Sequence, residues 1–110
     1  MSARLLVSAV LLLCAALAGC ASSAERQAEQ ERLIKRAETH VLLGAGYMQR
    51  GQLDVAKLEL DKAYRLVPDN SQVNNMMALL QWRLNNPDEA ERHYRKAVAA
   101  EPPNPEAWNN

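Results

Sequence analysis

The sequence predicts an all-α protein built as a short stack of helical hairpins, and three observations predict it. The 110-residue chain repeats itself at a shift of 34 positions: Leu43 meets Met77, Gly44 meets Ala78, Asp54 meets Asp88, Ala56 meets Ala90, Leu60 meets Tyr94, Lys62 meets Lys96, Ala63 meets Ala97 and Pro68 meets Pro102. Within each copy, apolar and small residues recur at i, i+3, i+4 and i+7, the stripe of an amphipathic helix. Gly51, Pro68, Pro87 and Pro102 stand where a helix must stop or start. A hairpin of this size cannot bury its apolar face alone and needs a stacked neighbour, so the fold class is an α-solenoid.

Composition narrows the function classes before any motif does. Thirteen Lys and Arg balance thirteen Asp and Glu with no long run of one sign, so the basic patch that nucleic-acid binding requires is missing. Both cysteines, Cys14 and Cys20, precede residue 21, so the repeats contain neither a disulfide framework nor a thiolate metal site.

Residues 1–19 read as a secretory signal. Arg4 supplies the positive start, residues 5–17 are an almost unbroken apolar run, and small Ala18 and Gly19 follow. The run falls short of the roughly 20 apolar residues that span a membrane comfortably. Leu17-Ala18-Gly19-Cys20 resembles the bacterial lipobox. That resemblance implies removal of residues 1–19, a diacylglyceryl thioether on Cys20 and acylation of the new amino terminus; an ordinary signal peptide with an incidental cysteine is the alternative. One acyl chain binds a membrane only marginally and stable anchoring takes at least two signals, so a three-chain anchor stays in place. Ala21 follows the cysteine, not the aspartate that resembles an inner-membrane retention signal, which favours the outer membrane with the chain facing the periplasm.

Residues 20–36 are expected to form a lipidated, charged tether. Too few apolar residues precede Leu33 and Ile34 to offset ordering, so a mobile leash is predicted. The residues are also good helix formers, and a helix running on into the first repeat is the alternative reading.

The first repeat spans residues 37–70. His40, Leu43, Gly44 and Tyr47 form the stripe of its first helix, and Leu53, Ala56, Leu60, Ala63 and Val67 that of its second. In the second repeat, residues 71–104, Val73, Met77, Leu80 and Leu84 are predicted to be buried on the first helix. Ala90, Tyr94, Ala97 and Val98 pack the return helix. Asn70 and Asn86 are expected to cap, with Pro87, Asp88 and Glu89 suited to a helix start. Residues 105–110 open a third, unfinished unit with Trp108 at its first bulky position.

Counted from Ala37 and Ser71, these positions resemble the tetratricopeptide consensus. Its small residues fall on Gly44, Ala56 and Ala63, then Ala78, Ala90 and Ala97; its bulky ones fall on Leu43, Tyr47 and Leu60, then Met77 and Tyr94. His40 and Asn74 depart from a usually aromatic or aliphatic position, and Gln81 departs from the Tyr47 position; both departures are expected to weaken packing locally.

No catalytic set appears, and no cofactor or metal is expected. His40 and His93, the only histidines, read as structural or surface residues, and Gly44-Ala45-Gly46 reads as close helix packing, not a phosphate cradle. The resemblance implies a protein-binding scaffold whose concave face is lined by the first helix of each pair. The partner-binding residues on that reading are Val41, Ala45, Met48, Asn75, Leu79, Trp82 and Arg83. Only Asn75 and Arg83 keep anything of the pattern that clamps a peptide carboxylate in some members; the rest suggest an apolar groove for an amphipathic segment. Leu79 and Trp82 also admit a second reading, as core awaiting a third repeat.

Lipobox, short tether and immediate repeat array together resemble the pilotin lipoproteins of type IV pilus biogenesis, with His40-Val-Leu-Leu-Gly-Ala-Gly-Tyr-Met-Gln-Arg-Gly51 as the run most like that family. The resemblance implies binding of the outer-membrane secretin subunit, its escort to the outer membrane and help with its multimerisation. A generic repeat lipoprotein serving cell-envelope enzymes or another secretion complex is the alternative. Cys20→Ala is expected to block lipidation and outer-membrane placement while leaving the helical content unchanged; membrane fractionation with circular dichroism checks both, and wild-type recovery in outer-membrane fractions refutes the anchor.

Overall fold

A computed structural model of the chain describes residues 2–100. Among them are four α-helices and no strand: α1 Ser2–Gln49, α2 Leu53–Leu66, α3 Ser71–Arg83 and α4 Pro87–Ala99. The chain divides into two compact units, Met1–Arg32 and Leu33–Asn110. Pro102 and the third unit expected over residues 105–110, with its Trp108, lie outside the described residues.

The first unit is the leading part of α1. Its Leu5, Leu6, Val10, Leu11, Leu12, Leu13 and Leu17 are all exposed. The helix is long and apolar enough to cross a membrane, a test that a signal sequence passes equally. The tether after Cys20 is helical where a mobile leash was predicted. Its composition explains the difference: Glu, Gln, Arg and Ala propagate a helix well. The Ser22 and Ser23 hydroxyls donate back to the carbonyls of Gly19 and Cys20, and Arg32 pairs with Glu29 at 3.6 Å.

In the second unit, the last part of α1 pairs with α2 and α3 pairs with α4. Ala37, Val41, Met48, Ala56, Leu60, Ala63, Val67, Val73, Met77 and Leu80 form one buried cluster across α1, α2 and α3. Leu60 and Leu80 are fully buried, and each such side chain contributes about 1.5–3 kcal/mol relative to exposure. The small residues do the work the repeat assigned them: Ala56, Ala63, Ala78, Ala90 and Ala97 have almost no exposed surface, so the helices approach closely at each. Tyr47, Leu53 and Leu84 are only half-buried at the edge of the cluster, and Leu43, expected inside, is exposed.

The turns repeat as well. Gly51 closes α1 with φ +73°, the left-handed conformation that costs glycine little. Asn85, 34 positions on, closes α3 with φ +62°, which asparagine tolerates better than most residues. Asn70 caps α3 by accepting from the Val73 amide at 3.0 Å. Asn86 departs from the expected cap, because its side chain instead donates to Gln81 Oε1 at 3.0 Å. Buried Gln81 is thereby satisfied at the position where the first repeat has Tyr47.

The His40 and Asn74 departures are not weak points. His40 Nδ1 lies 2.7 Å from Glu59 Oε2, joining α1 to α2. Asn74 Oδ1 lies 2.9 Å from His93 Nδ1, joining α3 to α4. Both pairs span 19 positions, so Glu59 and His93 are repeat equivalents, as His40 and Asn74 are. Each hairpin carries one polar cross-link at the same place in its packing.

The two glycines of α1 separate cleanly. A Cβ on Gly44 would meet Leu60 Cγ at 2.7 Å and Cδ2 at 2.8 Å, whereas one on Gly46 meets nothing within 4 Å. Only Gly44 serves close helix packing. Since Leu60 is fully buried and the clash reaches its Cγ, Gly44→Ala is expected to cost about 1–3 kcal/mol despite the better helix propensity of alanine. Gly46→Ala is expected to gain about 0.5–1 kcal/mol. Thermal melts followed at 222 nm check the opposite signs.

Candidate functional site

With two repeats in one chain, each position of the first has an internal control in the second. Met76, Met77, Leu80, Gln81 and Leu84 of α3 are buried or half-buried. Their equivalents on α1 are Leu42, Leu43, Gly46, Tyr47 and Arg50, and these line an open cleft of about 150 Å³. Leu43 is 45% exposed where Met77 is 5%, and Leu42 is 72% exposed. The cause is position in the stack: α3 has α2 against it, while α1 is the first element of the described chain and no earlier helix of it covers that face. The Arg50 guanidinium sits over the Tyr47 ring at 5.7 Å, giving the cleft one cationic end.

The opposite flank shows the reverse. Ala45, Met48, Leu53, Ala56 and Leu60 of the first hairpin are covered or half-covered, Met48 to 6% exposure. Their equivalents Leu79, Trp82, Pro87, Ala90 and Tyr94, joined by Glu91, line an open cleft of about 470 Å³ in which Trp82 is 65% exposed. This cleft is larger than the α1 cleft, but its size has a structural source. It is the second hairpin's copy of the seam that α3 fills on the first.

The seven residues expected to bind a partner therefore part company. Val41 and Met48 are buried in the core cluster, and Asn75 is 2% exposed, so none of the three presents a surface. They are corrected to core: α3 packs where an open groove was expected. Ala45 and Leu79 are half-buried, and Trp82 and Arg83 are exposed. Arg83 is tied down in the fold, since its guanidinium donates to the Met48 carbonyl and braces the end of α3 against the end of α1. Leu42 and Leu43 were missed.

Several charged side chains around the hairpins compensate one another. Lys62 and then His40 hold the Glu59 carboxyl below its ordinary range. Lys96, 3.0 Å from the Tyr64 hydroxyl, holds that phenol below its usual value and lies 3.5 Å from Asp69. Burial pushes the Tyr94 phenol up. Among the described residues no group of three or more His, Cys, Asp or Glu could hold a metal ion. The α1 cleft thus offers apolar surface with Arg50 at one end, and the larger cleft offers apolar surface with Glu91 in its lining.

Comparison with known proteins agrees with this geometry. The tetratricopeptide repeat family model matches residues 47–109. The chain is similar to the type IV pilus assembly protein PilF of Pseudomonas aeruginosa (strain PAO1), with 32% identity over 104 residues that make up 92% of this chain and 41% of that protein. It is also similar to a solved structure from a functional characterization of Pseudomonas aeruginosa PilF, with a TM-score of 0.66 and 31% identity, covering 71% of this chain and 35% of that one. The chain thus spans about two fifths of the curated relative's length.

The burial difference between equivalent residues sets an expectation. Met48→Ala should cost about 2–5 kcal/mol, the range for a truncated core side chain. Trp82→Ala should change the stability of this chain by no more than about 0.5 kcal/mol, as for an exposed site. Chemical denaturation of the two variants separates core from open surface.

Proposed function

The chain belongs to the tetratricopeptide repeat family, and from that premise we propose that it is a protein-binding scaffold of type IV pilus assembly. On this reading it is a pilotin that captures the outer-membrane secretin subunit and helps it reach and multimerise in the outer membrane. The similarity to a type IV pilus assembly protein over nearly the whole chain supports the system. The lipobox ending at Cys20 and the Ala21 that follows it support lipid anchorage at the outer membrane, with the repeats in the periplasm.

One observation carries the binding role: the uncovered apolar face of α1 at Leu42, Leu43 and Tyr47, whose counterparts in the second repeat are packed away. A shape that accepts a helix inside the array also accepts an amphipathic helix from a partner, which would insert apolar residues beside Leu43 and place an acidic group near Arg50. The exposed apolar area is small, so affinity would rest on a few anchors in the cleft and not on a broad interface.

Leu43→Glu tests the reading directly, since the side chain is exposed and the charge should not unfold the hairpin. The expected result is normal abundance and helicity with loss of secretin multimers from the outer membrane and at least tenfold weaker capture of purified secretin. Normal secretin assembly with Leu43→Glu would remove the proposed face. Normal secretin assembly in a strain lacking the whole protein would remove the pilotin role itself and favour an adaptor for another envelope complex.

A further inference from the structure

We propose that the second hairpin is an acid-sensitive joint whose trigger is His93, and that acid does not open the matching joint of the first hairpin. The argument rests on the two repeat-equivalent cross-links. In the first hairpin an imidazole faces a carboxylate, His40 Nδ1 to Glu59 Oε2 at 2.7 Å, with Lys62 Nζ 2.7 Å from the other oxygen. That hydrogen bond survives when the imidazole gains a proton, because it becomes an ion pair. In the second hairpin the histidine has moved to the other helix and faces an amide.

The hydrogen bonds around His93 fix its protonation state by elimination. Asn74 Nδ2 donates to the Pro68 carbonyl at 2.8 Å and to the Asn70 carbonyl at 2.9 Å. The amide orientation is thereby set, and Asn74 Oδ1 is the atom facing His93 Nδ1 at 2.9 Å. An amide oxygen only accepts, so Nδ1 carries the proton. Arg92 Nη2 lies 3.2 Å from Nε2. A guanidinium only donates, so Nε2 must offer its lone pair. The ring is neutral with both nitrogens committed and is 1% exposed.

A second proton has nowhere to go on this ring without breaking the arrangement. It would turn Nε2 into a donor aimed at a donor and set a buried imidazolium beside the exposed Arg92 guanidinium. The surrounding charges do not rescue it. On its own helix His93 faces Arg92 and Lys96 against Glu89; α2 contributes Asp61 and the Tyr64 ring, which stands edge-on to the imidazole at 5.4 Å; α3 contributes only neutral Asn74. Glu89 is already engaged by Arg92 at 2.9 Å. Burial, and then Arg92, accordingly hold the imidazole below its ordinary value. A histidine whose folded value is depressed stabilises the fold fully above its unfolded value of about 6.5, and that stability is lost as the pH falls below it.

Opening this joint would free α4 from α3. Helix α4 carries Ala90, Glu91 and Tyr94, one wall of the larger cleft, so acid would change the surface on which anything stacked there sits.

The test is amide hydrogen exchange on the full chain at pH 7.5 and pH 5.5, corrected for intrinsic rates. Opening of α3 and α4 relative to α2 should increase by up to about tenfold, because only the one unit between the unfolded value of about 6.5 and pH 5.5 is crossed. Uniform change across both hairpins would overturn the proposal. His93→Gln should abolish the differential, but it could also loosen the hairpin at every pH. The double variant Asn74→His with His93→Glu therefore serves as the second arm, because it installs the first repeat's pair in the second. Loss of the differential in that folded variant supports the proposal, and a retained differential overturns it.

Discussion

The seam that α3 fills against the first hairpin is the interaction on which the rest depends. A hairpin of two short amphipathic helices has more apolar surface than it can fold away internally, so part of its core must come from a neighbour. Here Val73, Met77 and Leu80 supply it, joining Val41, Met48 and Leu60 in one cluster. Within the first hairpin, Gly44 of α1 admits Leu60 of α2 to a distance that no Cβ allows. The polar links lie within the hairpins, α1 to α2 and α3 to α4, and set register there, since buried amides and imidazoles tolerate only partners at the right place.

The same constraint explains the available surface. Every seam has two halves, and among the described residues each of the two hairpins has one half left uncovered. The α1 half is apolar with a cationic edge, and the α4 half is wider and contains Trp82. The open apolar surface is therefore a consequence of stacking order. This reconciles the two readings of Trp82: its equivalent, Met48, is core because a helix follows it.

The helices and their order were legible from sequence because the small residues repeat, and a small residue at a crossing has few substitutes. Proline and glycine marked the turns for equally local reasons. The surface was less legible. Val41, Met48 and Asn75 looked like groove because their helix face was identified without the neighbour that covers it, and Leu43 looked like core for the converse reason. Burial is a property of the stack, and one hairpin's periodicity does not reveal it. The cross-links were hidden for another cause: the histidine changes helix between repeats, so aligning like with like shows two mismatches where the structure has two matched pairs.

The central claim is that the uncovered face of α1 receives an apolar segment of a pilus-assembly partner. Site-specific photocrosslinking in living cells tests it most directly, with the reactive group placed at position 42, 43 or 47 and, for comparison, at exposed Leu58 on α2. The account predicts adducts with the secretin subunit from the three α1 positions and none from position 58. Adducts from position 58 alone, or none from the α1 face in cells that assemble secretin, would contradict it.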